Sequence, residues 1–167
     1  MSEIDWGFPG TYSVEESAIV TEIQQKIYFY GWCIDHRDFD ALDALFLPDA
    51  MVHYDVQDGM RAPWIEMKKW LPEGLEIFRL TQHNMSNPMI EIAGSHARSK
   101  TYGHLIHFQE KTDGSISVMR HHSIYHDEWV QQDGAWRISS RRLSNLYVDG
   151  PVFRGDEVVA YQEPKPL

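Results

Sequence analysis

The chain has 167 residues, with 25 acidic against 15 basic side chains and a formal net charge of −10. Because nucleic acids and anionic membrane surfaces are bound through basic patches, this charge disfavours both as partners. Its apolar runs fall short of the roughly 18 residues that a membrane-spanning helix requires, and its one cysteine, Cys33, cannot form an internal disulfide. We therefore expect one globular, cytoplasmic domain over residues 1–167.

Helical signals come first, after an irregular arm over residues 1–12. Ser13, with Glu16 three residues later, has the form of a capping box, which predicts a helix start. Apolar residues then recur at helical spacing from Ile19 to Ile34. The first helix is therefore predicted to run from residue 13 to about residue 37.

The next segment predicts shorter elements. Residues 39–46 (FDALDALF) are predicted as a second helix that the following proline ends, and residues 51–55 as a short strand. A third helix is predicted over residues 63–71, stopped by Pro72, with a weaker helical piece over 74–78.

Beyond residue 80 the apolar period changes from that of a helix to that of a strand. Four strands are predicted over residues 80–93, 97–111, 116–132 and 135–147, separated by glycine-containing turns. Helices followed by an antiparallel meander indicate an α+β fold, with the helices on one face of a curved sheet. Residues 148–167, rich in glycine and proline, are predicted as an arm or lid, with Phe153 and residues 158–161 as anchors.

Asp35 closes an otherwise apolar and aromatic stretch that begins at Ile27. A helix segment that is apolar all round is buried on most sides, where an unpaired carboxylate is costly. Asp35 is therefore expected to have a partner or a raised pKa. The alternative is that it already lies at the solvated C-terminal end of the helix, beside His36.

Nine histidines are many for this length. Seven fall on predicted strands: His53, His83, His104, His107, His121, His122 and His126. Since strand side chains alternate between faces, His121, Ser123 and Tyr125 share one face and His122 takes the other. Each histidine alone is more often a surface or hydrogen-bonded core residue, but together on a concave face they are typical of a polar-bottomed pocket.

The spacing of these residues decides between two chemistries. No HxH, HExxH or CxxC pattern occurs, so no metal site is predicted. A pocket histidine paired with a buried aspartate remains, because a carboxylate fixes the tautomer of imidazole and stabilises its cation. Such a pair suits the removal and return of one proton, as in elimination of water or migration of a double bond. Nearby tyrosines could stabilise an enolate.

Several short motifs, taken in order, resemble the SnoaL-like branch of the nuclear-transport-factor-2-like superfamily. They are Asp35 followed by RDFDAL, VHY ending at Tyr54, TQH at 81–83, His107, Ser123 and DGAWRI at 133–138. The resemblance covers about residues 14–147, and it is closest to the scytalone dehydratases and next to the bile acid 7α-dehydratases.

The resemblance implies a role for each matched residue. His83 would be the general base and then the acid that protonates the departing hydroxyl, with Asp35 as its orienting carboxylate. Tyr54 would help to polarise the substrate carbonyl. His107 and Ser123 would assist in substrate binding and at the leaving group.

Two positions depart from the scytalone dehydratases. Ile34 stands where they have a catalytic tyrosine, but Tyr30 matches the tyrosine of the bile acid dehydratases. Tyr125 stands where they have a pocket asparagine, so the pocket shape is expected to differ. Asn145 and Phe153 complete the predicted substrate-binding set.

The resemblance also implies a cone-shaped α+β barrel without a cofactor, assembled as a homo-oligomer, with a trimer favoured over a dimer. The predicted function is dehydration of a small hydrophobic cyclic or polycyclic hydroxy-ketone through an enolate. Three alternatives stay open: an isomerase on the same two residues, the non-catalytic small subunit of a ring-hydroxylating dioxygenase, and a non-catalytic module that binds a hydrophobic ligand.

Overall fold

The computed structural model describes residues 11–55 and 59–161, which form two helices and six strands. The helices are α1 (Val14–Asp35) and α2 (Trp64–Leu75), with short 3-10 turns at Ala41–Ala44 and Gly155–Glu157. The strands are β1 (Phe46–Tyr54), β2 (Met60–Pro63), β3 (Leu80–Ala93), β4 (His96–Glu110), β5 (Ile116–Gln132) and β6 (Ala135–Asp149).

One curved sheet joins all six strands in the order β2-β1-β6-β5-β4-β3. Its β1 and β6 strands run parallel, and every other neighbouring pair is antiparallel. Helix α1 packs against β3 and α2 against β1, so that the core lies between the helices and the concave face. The predicted fold class, a cone-shaped α+β barrel with helices on a curved, mostly antiparallel sheet, is confirmed.

Both ends of α1 have local causes. Ser13 Oγ accepts the backbone N–H of Glu16 at 3.1 Å, and Glu16 Oε2 accepts that of Ser13 at 2.7 Å, which is the predicted capping box. The helix ends at Asp35, two residues before the predicted end, because Arg37 adopts the left-handed conformation with φ 60°. The N–H of Asp38 then donates to the carbonyl of Cys33 at 2.9 Å, which forms a Schellman-type end.

The segment after α1 contradicts the predicted second helix over residues 39–46. Only Ala41–Ala44 forms a 3-10 turn, and β1 already begins at Phe46 and continues through Pro48. The pairing of β1 with β6 is irregular between Phe46 and Met51, so Pro48 lies where no ladder N–H is required. The predicted strand 51–55 is therefore the second half of a longer strand.

Three features nearby differ from the prediction. β2, Met60–Pro63, was not predicted as a strand, and Pro63 precedes α2 rather than opening it. Pro72 does not stop α2, which continues to Leu75. Leu71 and Leu75 are both buried on the face that packs into the core, and this burial outweighs the loss of one helical hydrogen bond at the proline.

The last four strands follow the prediction to within two residues at each end. Their burial alternates along β4 and β5, and His121, Ser123 and Tyr125 lie inward while His122 lies on the other face, as predicted. Residues 1–10 of the predicted arm and 162–167 of the predicted tail lie outside the described residues. Within the described ranges, neither helix is long and apolar enough to cross a membrane.

Candidate active site

A cavity of about 350 Å³ opens between α1, α2, the concave face of the sheet and the chain after β6. This volume lies within the range of small-molecule pockets. Most of its wall is apolar. The polar side chains that argue for function are Tyr30, Tyr54, His83, His107, His121 and Asn145.

His83 and Asp35 meet at the wall of this cavity. His83 Nδ1 lies 2.7 Å from Asp35 Oδ1, and the backbone N–H of His83 donates to Asp35 Oδ2 at 2.7 Å. The two side chains are 6% and 18% exposed. Asp35 is therefore not a freely solvated helix end, since it faces β3 and has the expected partner. Because Nδ1 faces the carboxylate, Nε2 is the nitrogen of His83 left for a ligand in the cavity.

Thr81 and Arg37 hold the carboxylate of Asp35 in place. The hydroxyl of Thr81 donates to Asp35 Oδ1 at 2.9 Å, and Arg37 Nη1 donates to Thr81 Oγ1 at 2.8 Å and to the carbonyl of Ile34 at 2.8 Å. Arg37 Nη2 also donates to the carbonyl of Phe78 at 3.1 Å. Burial lowers the pKa of Arg37, against the opposing effect of Tyr161 and Asp35. Arg37 was not predicted as a site residue, although it begins the RDFDAL motif two residues after Asp35.

Gly31 allows α1 to approach β3 at this point. A Cβ atom on Gly31 would lie 2.7 Å from the backbone oxygen of His83 and 3.3 Å from the His83 Cβ. Real Cβ atoms essentially never come so close to a backbone oxygen. The glycine therefore sets the distance across which Asp35 reaches His83.

Three tyrosines lie beside the pair. The hydroxyls of Tyr30 and Tyr54 are 3.0 Å apart, and the ring of Tyr30 is 5.7 Å from that of Tyr125 and 6.4 Å from that of His83. Burial raises the pKa of Tyr54 and of Tyr125 well above the usual value, with the nearby Tyr30 adding to both. The phenols of Tyr54 and Tyr125 therefore stay protonated at neutral pH, and a protonated phenol can donate to an oxyanion.

A second acidic–basic pair lies directly beneath the tyrosines. Arg141 Nε and Nη2 donate to the two carboxylate oxygens of Asp127 at 2.7 Å and 2.8 Å, and neither side chain has any exposed surface. The guanidinium carbon lies 4.1 Å from the ring centroid of Tyr30 and 4.9 Å from that of Tyr125. Sequence reasoning missed this pair.

His107 and His121 continue a row of imidazoles that starts at His83. Successive ring centroids are 5.6 Å and 5.3 Å apart. Burial lowers the pKa of His107 well below the usual value, with the neighbouring His83 and His121 adding to this, and burial also lowers the pKa of His121. Both rings are therefore neutral near pH 7. Among the described residues, no three His, Cys, Asp or Glu side chains are arranged to hold a metal ion.

The remaining predicted residues divide into two groups. Ser123 is buried and is not part of the cavity wall, but its hydroxyl donates to Asn145 Oδ1 at 2.9 Å. Asn145 does line the cavity, and its amide donates to the carbonyl of Asp55. Phe153 is not brought to the cavity. Its ring lies against the ammonium of Lys111, 4.6 Å from the ring centroid.

The chain after β6 crosses the cavity mouth, where Val152 and Arg154 line it on either side of Phe153. The side chain of Gln109 holds this part in place: its amide donates to the carbonyl of Phe153, and its oxygen accepts the N–H of the same residue, both at 2.9 Å. Farther along, the N–H of Tyr161 donates to the carbonyl of Glu76 at 2.6 Å. The predicted anchor Phe153 therefore fixes the segment through its backbone.

Cys33 points into the core and is 1% exposed. Burial raises the pKa of its thiol to about 11, with Asp38 adding to the effect. The thiolate that a nucleophilic cysteine needs is therefore scarce at neutral pH. This agrees with the expectation that Cys33 is a packing residue.

Comparisons with known proteins agree with this architecture. The family model of the SnoaL-like domain matches residues 15–142. An uncharacterized protein of Mycobacterium tuberculosis strain H37Rv is 30% identical over 131 residues, which cover 77% of this chain and 86% of that protein.

Solved structures share the fold at lower identity. A protein provisionally assigned as a scytalone dehydratase from Novosphingobium aromaticivorans superposes with a TM-score of 0.71 at 24% identity, covering 83% of this chain and 91% of the other. A hexachlorocyclohexane dehydrochlorinase from Novosphingobium barchaimii superposes with a TM-score of 0.67 at 13% identity, covering 83% and 93%. A nuclear-transport-factor-2-like superfamily protein from Salmonella enterica does so with a TM-score of 0.66 at 20% identity, covering 84% and 96%. The family match spans most of the chain and the fold agrees with it, so the protein belongs to the SnoaL-like domain family.

Proposed function

We propose that this protein is a lyase that eliminates water from a small hydrophobic cyclic hydroxy-ketone, with His83 as the acid–base residue. The observation that carries the proposal is the bond between His83 Nδ1 and Asp35 at 2.7 Å, at the wall of a largely apolar cavity. It supplies a base of fixed tautomer where a hydrophobic substrate would bind.

The proposed reaction starts with proton transfer to His83 Nε2 from the carbon next to the substrate carbonyl. The electron pair of the broken C–H bond moves onto the carbonyl oxygen, and the phenols of Tyr30 and Tyr54 donate hydrogen bonds to the resulting enolate. Asp35 stabilises the imidazolium through Nδ1–H. The enolate then re-forms the ketone and expels the β-hydroxyl, which takes the proton back from Nε2 and leaves as water.

Arg37 and Thr81 would act in this scheme as positioning residues. They fix the carboxylate that orients the imidazole, through bonds of 2.8 Å and 2.9 Å. A base displaced by even a fraction of its hydrogen-bond length transfers protons poorly, so a rigid carboxylate is part of the proposed function. His107 and Ser123 stay predicted as substrate-binding residues on the same concave face.

An isomerase on the same two residues is the second candidate, because the first proton transfer is identical and only the fate of the enolate differs. Protonation at another carbon would move a double bond without loss of water. The His83–Asp35 pair favours this candidate as much as the first, so only the reaction products distinguish the two.

The trimer and the cytoplasmic location remain predictions. Light scattering of the purified protein would test the trimer.

The test is product analysis on a panel of cyclic β-hydroxy-ketones. Dehydration lowers the mass by one water, about 18 mass units, whereas isomerisation leaves it unchanged. His83→Ala and Asp35→Asn are each expected to lower turnover by about 10²–10⁴-fold, the usual contribution of a general acid–base residue.

The matched control is His104→Ala, since His104 is an exposed histidine on the outer face of β4. It is expected to keep wild-type turnover. Near-full activity in both the His83 and the Asp35 variants would exclude the proposal. Binding of the ketones without turnover by the wild type would favour the ligand-binding module instead.

A further inference from the structure

We propose that His121 forms a second polar subsite, which accepts a hydrogen bond from a hydroxyl at the far end of the substrate from His83. This inference rests on the proposed function and names the class of substrate: a two-ring molecule with a hydroxyl remote from the reacting carbon. Nothing in the proposed reaction requires His121, yet it lines the same cavity and is 8% exposed.

The position of His121 sets the distance between the two sites. In the sheet register His83 pairs with Leu105, and Leu105 with His121. Two strand spacings of about 4.8 Å separate the two backbone positions, and the ring of His107 lies between the two imidazoles. A ligand that meets both rings needs a body of roughly two fused rings between them.

The network around Asn145 fixes the tautomer of His121. The Asn145 amide nitrogen donates to the carbonyl of Asp55, and its Oδ1 accepts the hydroxyl of Ser123 at 2.9 Å, so the orientation of the amide is determined by its partners. His121 Nδ1 lies 3.4 Å from the same Oδ1. Two facing lone pairs would repel, so Nδ1 carries the proton.

The other nitrogen of His121 is then an acceptor. Its Nε2 lies 3.3 Å from the sulfur of Met119. The alternative tautomer would donate from Nε2 to this sulfur, but a thioether is a weak acceptor compared with the amide oxygen of Asn145. Because burial keeps the ring neutral, the Nε2 lone pair is available to a ligand donor. Met119, an unbranched side chain, can move aside for it.

The experiment compares binding of 2-naphthol and 2-methylnaphthalene, followed by fluorescence titration. The two molecules match in size, and the methyl compound is the more hydrophobic, so an apolar cavity without a suitable acceptor would favour it. The wild type is expected to bind 2-naphthol about fivefold to tenfold more tightly, the effect of one hydrogen bond. In His121→Phe, which keeps a ring but has no nitrogen, this preference is expected to fall, and only the part that His83 Nε2 supplies should remain.

The matched control is His122→Phe, at the neighbouring residue on the opposite face of β5, which is expected to keep the preference. Asn145→Leu frees the His121 ring to adopt the other tautomer and should weaken the preference while leaving the imidazole in place. This variant decides the matter if circular dichroism shows that His121→Phe is unfolded.

An unchanged preference in His121→Phe and Asn145→Leu would overturn the inference, as would a wild type that shows no preference or binds neither compound. The measurement needs no turnover, so its outcome is independent of the proposed reaction. A His121-dependent preference together with full activity of His83→Ala would refute the proposed reaction but still support the subsite.

Discussion

Two acidic–basic pairs lie within one cone, and they differ in what surrounds them. Arg141 donates to both carboxylate oxygens of Asp127, and neither side chain has any exposed surface. In the other pair only Nδ1 of the His83 ring is hydrogen-bonded to Asp35, and Nε2 stays open to the cavity. The first pair is closed on all sides and the second is open on one.

This difference in surroundings suits the first pair to stabilising the fold and the second to proton transfer. A guanidinium does not release its proton under physiological conditions. Burial by itself would lower the pKa of Arg141, but the charge of Asp127 and its hydrogen bonds outweigh this and raise it, so the closed pair has no proton to exchange. It packs instead beneath Tyr30 and Tyr125 and keeps their rings in place. An imidazole with one nitrogen held by a carboxylate can still accept and return a proton at the other. We therefore expect the closed pair to determine folding and the open pair to determine turnover.

Asp127→Ala is expected to give the largest effect. Removing one partner leaves the guanidinium of Arg141 buried and unpaired, which costs about 3–5 kcal/mol of unfolding free energy. Urea denaturation followed by tryptophan fluorescence measures it.

The control is the double replacement Asp127→Leu with Arg141→Met, which removes both charges together. It should be less destabilising than Asp127→Ala, since a well-packed apolar pair often replaces a buried ion pair at little cost. Equal losses in the two proteins would mean that packing, and not the unpaired charge, dominates at this position.

Asp35→Asn should give the opposite result. Turnover of a cyclic β-hydroxy-ketone is expected to fall by about 10²–10⁴-fold, because the amide cannot stabilise an imidazolium. The unfolding free energy should fall by less than in Asp127→Ala, since Asn keeps one acceptor for the neighbouring donors. Steady-state kinetics and urea denaturation on the same preparation give both numbers.

Thr81→Val is the matched comparison, because it removes one bond to Asp35 and keeps the carboxylate. It should lower turnover less than Asp35→Asn does. If the two variants lost activity equally, the charge of Asp35 would not be what assists His83.

The open pair could be predicted from sequence and the closed pair could not, for physical reasons. A lone carboxylate at the end of an apolar helix requires a partner, and the TQH motif ending at His83 supplied one. In β6, alternation from Trp136 and Ile138 predicts that Arg142 faces inward. The ladder slips by one residue at Ser139, so Arg141 faces inward instead.

Secondary structure likewise divides into elements that local sequence predicts and elements that depend on tertiary packing. The strands after residue 80 could be predicted because glycine turns and hydrophobic alternation agree there. Phe46 to Pro48 reads as the end of a helix, and only pairing with β6 makes it a strand. Pro72 reads as a stop, and only the core contacts of Leu71 and Leu75 carry α2 past it. Tertiary packing overrode sequence propensity at both places.

Gly31→Ala tests how finely the open pair is placed. Alanine favours a helix over glycine by about 0.5–1 kcal/mol, but the added Cβ would lie 2.7 Å from the His83 backbone oxygen. Overpacking of this kind costs about 1–3 kcal/mol, so a net loss of about 1–2 kcal/mol is expected. Turnover should also fall, since β3 must move away from Asp35. A gain in stability on urea denaturation would mean that β3 yields without strain.

The smallest expected effect concerns pH and the imidazole of His107, which lies between those of His83 and His121. Burial lowers the pKa of His107 below its usual 6.5, so the folded protein keeps the ring neutral where the unfolded chain protonates it. The unfolded state therefore binds more protons below pH 6.5, and the unfolding free energy falls as pH decreases from 6.5 towards the lower folded-state pKa. Above pH 6.5 the effect is absent.

His107→Phe should remove this part of the acid sensitivity. Between pH 7.5 and pH 5.5 the wild type is expected to lose about 1 kcal/mol more than the variant, as measured by urea denaturation at each pH. Comparing the two pH values within each protein cancels the change in packing that phenylalanine introduces. Some sensitivity should remain in the variant, because burial lowers the pKa of His121 as well. A variant as acid-sensitive as the wild type would mean that burial does not keep the ring of His107 neutral. The protonated ring would then be in contact with water or a carboxylate.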